Sequence, residues 1–121
     1  MRRAARKDTN HDEVVEFMVA HGWAHERVSQ TGFPDEIFLR PGQVRPVEIK
    51  TERGSMEAAQ VELHQRWERA GVRIPVVTSG EECLAVLSGH RAPRTYRDFP
   101  WEGISDAEKR RRLALRPGHA D

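Results

Sequence analysis

The chain has 121 residues, 32% of them charged and 37% hydrophobic, with a formal net charge of +1. That is about the length of one domain, enough to bury one modest core but not two. A single cysteine, Cys83, excludes an intramolecular disulfide, and no apolar run reaches the roughly 18 residues of a membrane span.

The charge is unevenly spread. Residues 1–7 carry +4, residues 8–90 carry −6 and residues 91–121 carry +3. An acidic centre between basic ends suits a metal-binding fold with phosphate contacts at its edges. Basic termini that only keep the chain soluble would look the same. Arg2-Arg3 leads into no apolar h-region, so no export signal is expected, and with the lone cysteine this points to a cytoplasmic location.

In chain order, residues 1–8 read as a flexible basic arm. Asp8 or Thr9 can cap a helix running to His21, with Gly22 ending it; Val14, Phe17, Met18 and His21 form its apolar stripe. Residues 23–30 read as a weak strand, 36–40 as a second and 44–51 as a third. Turns at Thr31-Gly32-Phe33-Pro34 and Pro41-Gly42-Gln43 separate them. Pro46 cannot donate to a ladder and belongs near a strand start or an edge.

A helix over residues 56–70 follows, with Gln60, Leu63, Trp67 and Ala70 on its inner stripe. Residues 72–78 then form a fourth strand. Ser79-Gly80-Glu81-Glu82 is a capping box opening another helix, in which Cys83 reads as a small core residue. Residues 90–103 are expected as extended chain on the surface. A second capping box at Ser105 opens a basic helix to Leu115. The order is αβββαβα, which predicts a mixed sheet with helices on both faces: an α/β (α+β) domain over residues 9–90 and an extension over 91–121.

The chemistry concentrates at Asp35, after a proline in a turn, and at Glu48-Ile49-Lys50 in the third strand. Strand side chains alternate, so Glu48 and Lys50 share one face and Val47 and Ile49 the other. Charges on a buried strand need partners. If the turn brings Asp35 to the same place, two carboxylates crowd together, and their oxygens suit Mg²⁺ or Mn²⁺. The plain alternative is a surface ion pair worth about 0–1 kcal/mol. His11, His21, His25 and His64 lack zinc-ligand spacing and are expected at the surface or its boundary. Tyr96, Phe99 and Trp101 are expected to pack onto the domain rather than to stack on bases.

Gly32-Phe33-Pro34-Asp35, Val47-Glu48-Ile49-Lys50, Gln60 ten residues later, and the closing Ala70-Gly71-Val72-Arg73-Ile74-Pro75-Val76-Val77 together resemble the PD-(D/E)xK nuclease superfamily, most closely its VRR-NUC group. The resemblance covers residues 10–87. It implies a restriction-endonuclease-like αβββαβ core and a Mg²⁺- or Mn²⁺-dependent nuclease acting on DNA. It further implies Asp35, Glu48 and the Ile49 carbonyl as metal ligands, with Glu13 joining them from the first helix, and Lys50 and Gln60 as catalytic residues. Small stand-alone members resemble Holliday-junction resolvases, which implies branched DNA as substrate and a homodimer. Glu57 stands where many relatives carry a serine. Arg3, Arg6, Lys7, Arg53, Lys109, Arg110 and Arg111 are the candidate phosphate contacts. The alternative is a non-catalytic nucleic-acid-binding module that keeps the fold.

Overall fold

The structure is a computed structural model and describes residues 9–115. The expected basic arm, with Arg3, Arg6 and Lys7, lies outside the described residues. The elements run α1 (His11–Ala20), β1 (Ala24–Arg27), β2 (Glu36–Arg40), β3 (Gln43–Ile49), α2 (Ala58–Arg69), β4 (Val76–Val77), α3 (Gly80–Leu87) and α4 (Asp106–Ala114). A 3₁₀ turn, Tyr96–Asp98, lies before α4. The four strands form one mixed sheet in the order β1-β2-β3-β4. β1, β2 and β3 are antiparallel neighbours, whereas β3 and β4 run parallel, as strands joined through a crossover helix can.

The sheet divides the apolar interior in two. On one face Val14, Val15 and Met18 of α1 and Cys83, Val86 and Leu87 of α3 close over Phe38, Val47, Ile49 and Val77. α1 and α3 touch closely because Gly80 has no side chain: a Cβ there would come within 2.4 Å of Phe17. A second cluster joins Met56, Val61 and Val76 to Tyr96, Phe99 and Trp101. Residues 90–103 are therefore not simply surface chain. Their aromatics are buried, and Met56 forms a parallel bridge with Trp101 through Met56 N–H to Pro100 O and Glu102 N–H to Met56 O, both 2.8 Å.

Several boundaries differ from expectation for local reasons. β4 has only two residues. Glu48 N–H donates to Pro75 O and Lys50 N–H to Val77 O, so Pro46 would be the next donor back along β3. Pro46 has no N–H, nor has Pro75 opposite, and the parallel ladder stops there. The first helix begins after Asn10 rather than Thr9, and Asn10 does not cap it with its side chain. Its amide instead donates to Lys50 O (3.1 Å) and Thr78 O (2.7 Å), tying the helix start to the ends of β3 and β4. α2 starts at Ala58 because Met56 is held in the bridge with Trp101. Trp67, expected in the core, is half-buried and meets Phe33 edge-on at 5.8 Å. No helix among the described residues is long and apolar enough to cross a membrane.

Candidate active site

Asp35 is delivered by the loop before β2, and that loop is shaped to fit α2. Gly32 adopts φ +82°, and its missing Cβ lets the chain pass Ala59 at the start of α2, where a Cβ would lie 3.0 Å from the carbonyl oxygen. Phe33 lies edge-on to Trp67, and Pro34 is fully buried. The β2–β3 register pairs Glu36 with Val47. Continued outward, it sets Asp35 opposite Glu48 and Pro34 opposite Ile49. The turn therefore does what the strand alternation requires: both carboxylates reach the face that α2 covers.

The Glu48 carboxylate is wholly buried, at 0% exposure, and its two oxygens are held by one face of α2. Gln60 Nε2 donates to Oε2 at 2.9 Å, and His64 Nε2 meets Oε1 at 3.0 Å. Gln60 also accepts from Glu57 N–H at 2.9 Å, which ties the amide to the helix N-terminus. Asp35 Oδ2 accepts from Ile49 N–H at 2.9 Å. Burial, then the charge of Glu48 and a carboxyl–carboxylate hydrogen bond to it, push the Asp35 carboxyl up to about 8. Near neutral pH the pair therefore retains a proton. Burial, reinforced by the positive charge of Lys50, brings the His64 imidazole down to about 4. Its Nδ1 is buried and has no hydrogen-bond partner. The contact with Glu48 is thus a hydrogen bond from a neutral ring carrying its proton on Nε2, not an ion pair.

Lys50 stands at the end of β3, 7% exposed, on the Glu48 side of the strand. Ile49 directs its N–H to Asp35, and its carbonyl points to that same edge of the strand. The residue opposite, Pro34, can offer that carbonyl no donor. Two carboxylates and a backbone carbonyl make a hard-oxygen set that suits Mg²⁺ or Mn²⁺, ions that keep several waters of their own. Beyond the bonds from α2, Glu48 also meets the Asp35 carboxyl, whose proton a bound cation would displace. The set stops at two acidic side chains: no group of three or more His, Cys, Asp or Glu side chains among the described residues is arranged to hold a metal ion.

Glu13 is exposed on α1, in a groove with Glu16, Phe17, Thr78, Ser79, Gly80 and Glu81. From that helix it is His11 whose charge acts on Asp35. Asp35, Glu48, Lys50 and Gln60 are brought together as expected, whereas the structure places Glu13 on the exposed side of α1. Arg53 and Arg110 are exposed. Lys109 is occupied by Phe99 O at 2.8 Å and lies over the Trp101 ring, and Arg111 is bound to Glu108 through two hydrogen bonds. Both serve the local structure in this conformation.

Buried polar groups at two places were not expected: the histidines His64 and His11, and the carboxylate of Glu36. His64 and His11 are buried, not at the surface. The signal for His64 was its position four residues after Gln60, the same face of α2. The other group is Glu36, at 0% exposure, which receives His11 Nε2 and His25 Nδ1 at 2.9 Å each and Arg27 Nε at 3.2 Å. Burial opposes its charge, but these three partners bring its carboxyl below the usual range. No family model, curated protein or solved structure matches the chain.

Proposed function

We propose that this chain is a metal-dependent nuclease that hydrolyses phosphodiester bonds in DNA. The observation that carries the proposal is the pairing of half-buried Asp35 with the fully buried Glu48 carboxylate beside Lys50, on a sheet with the αβββαβ order the sequence resemblance implies. Crowded carboxylates that keep a proton between them offer a divalent cation the place of that proton. Asp35, Glu48 and the Ile49 carbonyl would hold it. When bound, Mg²⁺ or Mn²⁺ supplies Lewis acidity and a more acidic water. Lys50 places the attacking water and stabilises negative charge growing on the phosphate. Gln60 fixes the direction of the Glu48 carboxylate. Arg53, Arg110 and Arg111 are the exposed cations among the described candidates for phosphate contact, with Arg111 engaged by Glu108. A homodimer would set two such sites against two strands, the arrangement a branched DNA substrate needs.

A second reading, a nucleic-acid-binding module without catalysis, draws on one specific observation. Glu48 is fully buried and both its oxygens already accept hydrogen bonds. The two are separated by incubating the protein with supercoiled, flap and four-way-junction DNA in Mg²⁺, Mn²⁺ or EDTA. The nuclease cuts at least one of these with metal, and Lys50→Ala lowers its rate at least about 100-fold. Tight binding without cutting in either metal supports the binding module, and a Lys50→Ala protein as active as the parent sinks the catalytic assignment.

A further inference from the structure

We propose that His64 is a positioning residue that fixes the Glu48 carboxylate for metal binding; this rests on the metal-site reading above. Gln60 and His64 are one helical turn apart, so α2 presents two N–H donors on one face. Each takes a different oxygen of the same carboxylate, at 2.9 and 3.0 Å. Two donors at two oxygens define the plane of the carboxylate as well as its direction, which a single bond does not.

The surroundings of His64 fit a group that must not move. Its side chain is 1% exposed. Tyr96 meets its ring edge-on at 5.9 Å, and Tyr96 is in turn stacked on Trp101 at 5.8 Å. The remaining ring nitrogen, Nδ1, is buried without a partner. A buried nitrogen left unsatisfied carries a cost, and an apolar side chain of similar size would avoid it. Against that cost the polar ring sets its hydrogen bond to Glu48. Through Tyr96, the segment beyond the region of family resemblance therefore reaches this ring and, by it, the Glu48 carboxylate.

The test compares the parent with His64→Gln and His64→Asn. The glutamine amide reaches the place of Nε2 and can donate to Glu48, whereas the asparagine amide, one methylene shorter, falls short of it. Mn²⁺ affinity is measured by titration calorimetry on protein shown to be folded by circular dichroism. Losing a hydrogen-bond partner of a metal-bound side chain costs about 10–100-fold in affinity. His64→Asn is therefore expected to bind Mn²⁺ at least about tenfold more weakly than the parent, and His64→Gln to stay within about threefold. A role in packing alone would not place the two amides in that order. Equal Mn²⁺ affinity in all three proteins overturns the positioning role and leaves the metal site standing. A parent protein that binds no Mn²⁺ overturns the metal site and, with it, this role. If His64→Asn does not fold, the comparison passes to His64→Gln and His64→Met in the same titration, where only the glutamine should keep parental affinity.

Discussion

Asp35 and His64 lie on the same carboxylate and pull the stability of the metal-free protein in opposite directions as pH changes. Folding raises the Asp35 carboxyl from an ordinary value of 3.8 to about 8. Between those values the folded state holds a proton the unfolded chain has released, so stability falls as pH rises. Folding lowers His64 from 6.5 to about 4, so in that lower window the unfolded chain binds the extra proton and stability rises with pH. The two effects oppose one another below pH 6.5, and above it the Asp35 effect remains alone. Asp35→Asn should therefore flatten the decline in urea-unfolding free energy between pH 6.5 and 8 in EDTA, and at pH 8 it should be more stable than the parent by about 1–3 kcal/mol. A variant with the same slope as the parent would show that the proton is not held at Asp35.

The same residues show how far the site could be read from the chain. Alternation along a strand was enough to put Glu48 and Lys50 on one face, and a proline turn was enough to suggest Asp35 beside them. Which donors meet Glu48 was only half legible, because Gln60 was singled out and His64, four residues on, was not. Histidine has no preferred side of a helix, and its spacing from Gln60 is the one sign in the sequence that this ring faces inward, where it meets Glu48 and Tyr96. Glu36 is harder still. It lies in a strand pattern that marks Ile37 and Leu39 as equal candidates for the interior, and its three partners come from two other elements.

At the scale of elements, helix and strand identities followed from period, while their ends were set by contacts distant in the sequence. Asn10 stands where α1 begins, yet its amide is drawn to the strand ends instead of the helix; two prolines facing each other across a ladder cut β4 short. Gly80 reads in the sequence as an ordinary first-turn residue inside a capping box. In three dimensions it is where α1 and α3 meet, with Phe17 filling the space of the absent side chain. A methyl group there would overlap the Cβ and ring of a half-buried aromatic, so the two helices must separate. Gly80→Ala, a change that should favour a helix by propensity alone, is expected to destabilise the protein by about 1–3 kcal/mol through overpacking. The urea midpoint measures it. An unchanged or higher midpoint would mean that α1 and α3 yield to the added methyl without loss.

For the molecule as a whole, the question is whether residues 91–115 form an appendage or part of the domain. The sequence divides the chain into a domain over residues 9–90 and an extension over 91–121. Three contacts point the other way. Tyr96, Phe99 and Trp101 supply half of the second apolar cluster, which Met56, Val61 and Val76 complete. Arg94 O accepts from Val76 N–H at 3.0 Å on the edge of β4 that β3 does not cover. Arg94 also donates to both oxygens of Glu82, a 2% exposed carboxylate, at 2.9 and 2.8 Å. Removing one partner of a buried ion pair costs about 3–5 kcal/mol, and each large aromatic lost from a core costs a similar amount. Together these match or exceed the roughly 5–15 kcal/mol that hold a domain of this size. A chain ending at residue 90 should therefore show no cooperative urea transition and should bind a hydrophobic dye, whereas one ending at residue 115 should unfold in a single step. Cooperative unfolding of the shorter chain at the midpoint of the longer one would return residues 91–115 to the status of an appendage. It would also remove the Tyr96 contact with His64 from any account of how Glu48 is held.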